Sequence, residues 1–244
     1  MFFILALIFT AWLAFERGKS SKQDEERVRA FWQRERDANS TRKVNLDTLT
    51  YTKVPNWIFL DSLSSSLPTD DDELTRCNDI LHSLSSQRIL NLTGMTSTDI
   101  KLEYGPANLS ILDEYDQNFT LFAQTIYAYG ERLHTLGFDH EAMRVLRFGI
   151  DSLSDISGNY KLLATLYIKS GQQEKIAELK ETAEKLNSLL KNSIIKYLDE
   201  LYPSQPETLN ESAVSVSSTL KDTSVFNSLK SLSRRCLDVT NLPS

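Results

Sequence analysis

Two consecutive stretches of 34 residues decide the fold that the sequence predicts. Residues 122–155 read FAQTIYAYGERLHTLGFDHEAMRVLRFGIDSLSD, and residues 156–189 read ISGNYKLLATLYIKSGQQEKIAELKETAEKLNSL. When one is written under the other, large, small and glycine residues recur at the same offsets. The matched pairs are Ile126 with Tyr160, Tyr129 with Leu163, Gly130 with Ala164, Leu133 with Tyr167, Gly137 with Gly171, and Ala142 with Ile176. Self-similarity at this period indicates tandem structural units.

Each unit is predicted to form two helices joined by a short turn. Gly130 and Ala164 let the first helix lie close to its partner. Gly137 and Gly171 suit the end of that helix, where glycine adopts a left-handed turn at the lowest cost. The facing surface of the second helix is expected from Ala142, Leu146, Ile176 and Leu179.

This spacing resembles the tetratricopeptide repeat, a 34-residue helix-turn-helix unit. The resemblance covers about 122–189. It departs from the family at Gly149, where the motif's last alanine would fall, and no proline closes either unit. The alternative is a pair of ordinary helical hairpins with the same spacing by accident.

The resemblance also implies a binding groove. In the family, exposed positions on the first helix of each unit line a concave surface for a peptide or helix. By offset, the candidate partner-binding residues are Gln124, Tyr127, Glu131, His134, Lys161, Thr165 and Ile168. The competing interpretation is that these are ordinary solvent-facing or inter-helix positions. The set lacks the Lys and Asn cluster of a clamp for C-terminal carboxylates.

Two units rarely bury a core alone, so flanking helices or a second protomer are expected to complete the stack. The sequence predicts helices at 71–90 and 109–120, and a capping helix from Asn187 to Tyr202, where Pro203 prevents a third unit. Residues 41–70 are read as an extended segment that packs aromatic side chains onto the domain at 71–202. A Ser-rich tail follows at 203–244, with a weakly docked terminal helix or a mobile arm as the alternatives.

The N-terminus predicts a membrane anchor. Residues 1–15, MFFILALIFTAWLAF, carry no charged side chain. As a helix they would rise about 22 Å, which is short of the roughly 30 Å hydrocarbon core of a bilayer. The alternative is a cleaved signal peptide, which is disfavoured because no basic residue precedes the apolar run and Trp12 stands where cleavage needs a small side chain.

A charged juxtamembrane helix is predicted at 16–40. Residues 16–43 hold nine basic and six acidic residues, whereas the whole chain has 27 Lys and Arg against 33 Asp and Glu. Basic residues next to a span stay on the cytoplasmic side. The sequence therefore predicts a single-pass cell-membrane protein whose bulk is cytoplasmic, with the bilayer contacted by residues 1–15 and the adjacent basic groups. The fold class expected is all-α, with this transmembrane helix, a charged stalk and a helical-hairpin domain.

Composition and motifs argue against several functions. A net charge of −6 argues against a nucleic-acid binder. Two cysteines, Cys77 and Cys236, are too few for a disulfide scaffold. No nucleophile elbow, phosphate loop, dinucleotide fingerprint or zinc-ligand spacing occurs. The sequence therefore predicts no catalytic residue, no cofactor and no metal, and a chain that is not an enzyme.

The layout also resembles small single-pass membrane proteins of Gram-positive bacteria that carry a tetratricopeptide-like domain. The segments that carry this resemblance are Phe31-Trp32-Gln33-Arg34-Glu35-Arg36 with Ala38-Asn39, Leu92-Thr93-Gly94-Met95 through Thr98-Asp99-Ile100-Lys101, and Tyr104-Gly105 to Asn108-Leu109. It implies a fold and a location but no reaction. The function expected is a membrane-anchored adaptor or scaffold for a protein partner. The alternative is a self-associating structural subunit of a membrane complex, and hence a homo-oligomer.

Overall fold

The computed structural model describes residues 2–68 and 70–202, and among the first 21 residues it describes side chains only at Phe9 and Trp12. Within this part of the chain the fold is all-α, as predicted, with nine α-helices and three short 3-10 turns. The predicted Ser-rich tail at 203–244 lies outside the described residues.

Two helical hairpins form the centre of the molecule. The first consists of the C-terminal half of α5 (Leu109–Thr135) and α6 (Asp139–Asp151), and the second of α7 (Ser157–Lys169) and α8 (Lys175–Glu184). Except for the two turn glycines, every residue of the matched pairs is buried. The 34-residue spacing therefore corresponds to equivalent buried positions in the two hairpins.

The hairpin turns depend on glycine. Gly137 has a φ of 87° and Gly171 a φ of 73°, a region that side chains with a Cβ rarely adopt. The turn of the first hairpin is closed by hydrogen bonds from the Gly137 and Phe138 N–H groups to carbonyls at the end of α5. The Gly171 and Gln172 N–H groups close the second turn in the same way.

Helices cover both ends of the hairpin pair. On one side α3 (Asp72–Ser85) packs against α5, and on the other α9 (Lys191–Leu201) packs against α7 and α8. Asp71 caps α3, because its carboxylate accepts a hydrogen bond from the Leu74 N–H at 2.9 Å. The core runs continuously from α3 to α9.

The helix boundaries differ from the sequence expectation in two places. The helix expected at 109–120 and the first helix of the repeat are one continuous helix, α5. The region 91–108, where no helix is predicted, contains α4 (Ser97–Tyr104), which begins with a capping box formed by Thr96 and Asp99. The continuous α5 forms because tertiary packing extends a helix past a weak local signal, whereas α4 begins at a capping box that the local sequence supplies.

Residues 41–70 are not extended throughout. They contain 3-10 turns at Leu46–Thr48 and Asn56–Ile58 and the short helix α2 (Leu60–Leu63). Their one β contact among the described residues is a bridge between Thr52 and Ile89. The segment contributes to the cores on either side of it, because Leu46 and Ile58 are both buried.

The first helix, α1 (Phe2–Ser40), joins the predicted anchor and the predicted stalk without a break. Its last turns lie against α4, where Lys101 donates to the Glu35 carboxylate at 2.7 Å and Arg34 pairs with Asp99. The side chains from 22 to 34 are exposed.

Among the described residues, we find no helix with the length and apolar character needed to cross a membrane. The N-terminal transmembrane helix stays a prediction.

Candidate functional site

The seven residues predicted to line a groove lie on the first helices of the two hairpins. Four of them are on α5 and three are on α7. Their side chains are exposed at Gln124, Glu131, Lys161, Thr165 and Ile168, and half-buried at Tyr127 and His134. We call this set the first-helix face.

Tyr127 connects the two halves of the first-helix face. Its ring lies against Gly158, where a Cβ would come within 2.6 Å of the ring, so α7 approaches α5 closely at this point. The Tyr127 hydroxyl donates a hydrogen bond to the Glu131 carboxylate at 2.9 Å. Burial, with the nearby Glu131 carboxylate, raises the pKa of Tyr127, so the phenol remains a neutral donor.

Two other members of this face make contacts elsewhere. His134 pairs with Asp139 at the hairpin turn, and Asp139 also accepts from Lys169 at 2.7 Å. The Lys161 ammonium lies 5.3 Å from the ring centre of Tyr197 on α9. The structure therefore brings Tyr127 and Glu131 together, whereas His134 contacts Asp139 and Lys161 contacts Tyr197.

A cavity of about 410 Å³ lies at a different surface, between α6, the α7–α8 turn and the segment before α2. None of the seven predicted residues lines it. Its apolar wall consists of Trp57, Met143, Phe148 and Tyr167. Its polar lining consists of His140, Arg144, Arg147, Asp151, Gln172 and Lys175. We call it the Trp57 pocket.

Aromatic packing fixes the apolar wall of the Trp57 pocket. Trp57 and Phe148 meet edge to face with 5.8 Å between ring centres. Phe148 also packs edge to face on Phe122 in the core, at 5.6 Å. The guanidinium carbon of Arg144 lies 4.8 Å from the ring centre of Trp57. This wall therefore connects the core to an exposed cation.

The charged side chains of this pocket are unequally neutralised. Arg147 binds Asp151 and Glu178, each at 2.9 Å. Lys175 donates to the amide oxygen of Gln172 at 2.6 Å. Among the residues that the structure describes, neither Arg144 nor Lys175 forms an ion pair with a carboxylate. The pocket thus keeps two positive charges available to a ligand.

Sequence reasoning missed the Trp57 pocket. Arg144 and Arg147 stand three residues apart on a predicted helix, which places them on one face, and that spacing was a readable signal. Trp57 gave no such signal, because it belongs to a segment without helical period and reaches α6 only through tertiary packing.

The reactive side chains elsewhere have structural contacts. Cys77 is buried in the core, and burial raises the pKa of its thiol to about 11. His82 stacks on Phe59 with 3.8 Å between ring centres. No group of three His, Cys, Asp or Glu side chains within 2–68 and 70–202 is arranged to hold a metal ion.

Comparison of the chain with family models, with curated proteins and with solved structures gave no match in any of the three.

Proposed function

We propose that this chain is a protein–protein interaction module anchored to the cell membrane, with its helical-hairpin domain on the cytoplasmic side. The domain holds or recruits a partner protein next to the bilayer. The partner binds at the first-helix face, the surface formed by the outward positions of α5 and α7.

One observation carries this proposal: two neighbouring helices present an exposed face of mixed character. Tyr127 against Gly158 holds α5 and α7 side by side. Around this contact, Gln124, Glu131 and Thr165 are exposed polar groups, and Ile168 is an exposed apolar one. Polar groups beside an exposed apolar side chain suit the binding of another polypeptide.

Membrane attachment rests on the sequence. The uncharged stretch at 1–15 is followed by a basic segment, and Lys and Arg near a membrane surface each contribute about 1 kcal/mol of attraction to anionic lipid. Because α1 continues from Phe2 to Ser40, one helix connects this stretch to the domain. An anchor of this kind would hold the first-helix face near the bilayer.

The test is in-cell crosslinking of the full-length protein, followed by affinity purification from carbonate-washed membranes and mass spectrometry. The variant Q124R/T165R places two arginines on the first-helix face at exposed positions. We expect recovery of one dominant heterologous partner by the parent chain, and at least about a tenfold loss with the variant, since like charge and bulk at an interface are costly.

The matched control is T75R/S83R, which adds the same charge at exposed positions on α3. Both variants should retain the parent's thermal unfolding. Equal partner recovery by Q124R/T165R and the parent would refute the face assignment. Self-crosslinks alone would instead favour the self-associating subunit.

A further inference from the structure

The Trp57 pocket combines positive charge with an apolar wall. Arg144 and Lys175 have no carboxylate partner among the described residues, whereas Arg147 has two. Asp151 is the one carboxylate among the lining residues, and Arg147 already binds it. Such a lining favours a ligand that brings its own negative charge.

The apolar wall adds a second requirement. Trp57, Met143 and Phe148 form a surface that water wets poorly, and Arg144 extends over the Trp57 ring. A ligand that fills the pocket therefore needs an apolar group beside its charge. The cavity volume, about 410 Å³, falls in the usual range of ligand pockets, roughly 300–1,000 Å³.

The donors in the pocket distinguish a carboxylate ligand from a nucleotide. Phosphate groups are commonly held by consecutive backbone N–H groups in a glycine-rich loop. The described lining of this pocket contains no glycine, and its cations stand on separate elements, Arg144 on α6 and Lys175 at the start of α8. Two cations on separate elements are better suited to pair with two carboxylates at different positions of a bound polypeptide.

We infer that the Trp57 pocket binds an acidic protein segment, in which Asp or Glu side chains pair with Arg144 and Lys175 while a neighbouring apolar side chain packs on Trp57. The inference shares with the proposed function the idea of a protein ligand. It uses none of the residues of the first-helix face, so the two fail separately.

The test uses Trp57 as its own reporter. In the full-length protein with W12F/W32F, Trp57 is the one tryptophan left. The probe is the capped hexapeptide Glu-Leu-Glu-Phe-Glu-Leu, and its control has Gln in place of every Glu. We expect a saturable change in Trp57 fluorescence with the acidic peptide, at least about tenfold weaker binding of the Gln peptide, and weaker binding of the acidic peptide at higher salt.

The variant R144Q/K175Q removes both available cations, and we expect it to weaken binding of the acidic peptide at least about tenfold. R36Q/R76Q is the matched control, because it removes two exposed cations outside the pocket and should bind like the parent. Should R144Q/K175Q fold poorly, M143E provides a second test, since it places a carboxylate at the apolar wall and should also weaken binding.

Three results would overturn the inference: no saturable response to the acidic peptide, equal binding of the Gln peptide, or unchanged binding by R144Q/K175Q. A third titration uses inorganic phosphate and acetate. A saturable Trp57 response to either ion as strong as the response to the peptide would overturn the peptide assignment, because the pocket would then recognise charge alone.

Discussion

The two hairpins share a period and a backbone plan, but their interiors are filled differently. In the first hairpin Gly130 faces Leu146, and a Cβ on Gly130 would lie 2.5 Å from a methyl carbon of that leucine. The matched residues in the second hairpin are Ala164 and Lys180, both buried. The repeat period sets where the helices run, and the pairing of side-chain sizes sets how they pack.

Lys180 shows how the second hairpin tolerates a charge that the first would not. Its side chain is buried, with 8% exposure of the residue, and its ammonium pairs with Asp199 on α9 at 2.7 Å and donates to the Tyr202 carbonyl. The residues 34 positions before these partners are Thr165 and Ile168, which offer no carboxylate. Leu146 and Lys180 therefore occupy matched positions but are not interchangeable.

Exchanging the residues at these two positions should produce the largest effect. L146K puts an ammonium into the first hairpin, where no matched carboxylate exists. We expect a loss of more than about 3 kcal/mol in the free energy of unfolding, because an unpaired buried charge is costly. Chemical denaturation followed by circular dichroism measures this loss.

The reciprocal variant K180L should lose less than about 1 kcal/mol, since the Asp199 that it leaves is half-exposed and can be solvated. L146M is the control for the first hairpin, because it changes shape without charge and should cost less than about 1.5 kcal/mol. An equal loss of unfolding free energy in L146K and K180L would show that the two positions are equivalent.

A smaller effect on stability is expected from replacing Gly130, which lies against Leu146. Helix propensity alone predicts that G130A stabilises the protein by about 1 kcal/mol. We expect the opposite, a loss of about 1–3 kcal/mol, because the new methyl would overlap Leu146. Thermal and urea unfolding of the purified chain measure the change.

Repeating G130A in the L146A variant separates the effect of helix propensity from that of the overlap with Leu146. With the leucine truncated, G130A should become neutral or stabilising, and the cycle then gives the coupling between the two positions. In the second hairpin A164G should cost about 1 kcal/mol through propensity, with no overlap to relieve. A stabilising G130A in the parent chain would show that Leu146 moves aside freely.

Much of the fold could be predicted from local pattern. The matched residues Ile126, Tyr129, Tyr160 and Leu163 are apolar at helical spacing, and all four are buried in the hairpin cores. The helix predicted from residue 71 is present as α3, and Asp71 is its N-cap. These features depend on residues that are close in sequence, so the local pattern of one sequence is enough to predict them.

Features that depend on distant neighbours could not be predicted. Trp57 contacts Phe148, which lies 91 residues later in the sequence, and no periodicity predicts that contact. Lys180 has a charged side chain, so its burial follows only once α9 is placed over α8. Lys161, an exposed residue of the predicted groove, lies over Tyr197 because α9 also packs against α7. In each of these cases, the surroundings of the side chain are set by tertiary packing and could not be read from its residue type or its neighbours in sequence.

The smallest effect concerns the hairpin turns, which differ in charge. Asp139 accepts from Lys169 and pairs with His134, and these contacts hold the pKa of the Asp139 carboxyl below its ordinary value of 3.8. The matched residue in the second hairpin, Gln173, carries no charge.

D139N should therefore lower the free energy of unfolding at pH 7 by about 0.5 kcal/mol, since partly exposed ion pairs contribute little. A lowered carboxyl pKa stabilises the folded state above the ordinary value, and this contribution disappears as the pH falls through the folded pKa. The gap between D139N and the parent should accordingly be constant from pH 7 to about pH 5 and shrink below pH 3.8. Melting temperatures measured in steps of pH report it, and D79N, at an exposed aspartate outside these contacts, should show no gap at any pH. A gap that persists at the lowest pH at which the parent remains folded would mean that Asp139 acts through the shape of the turn, and the two turns would then differ in packing and not in charge.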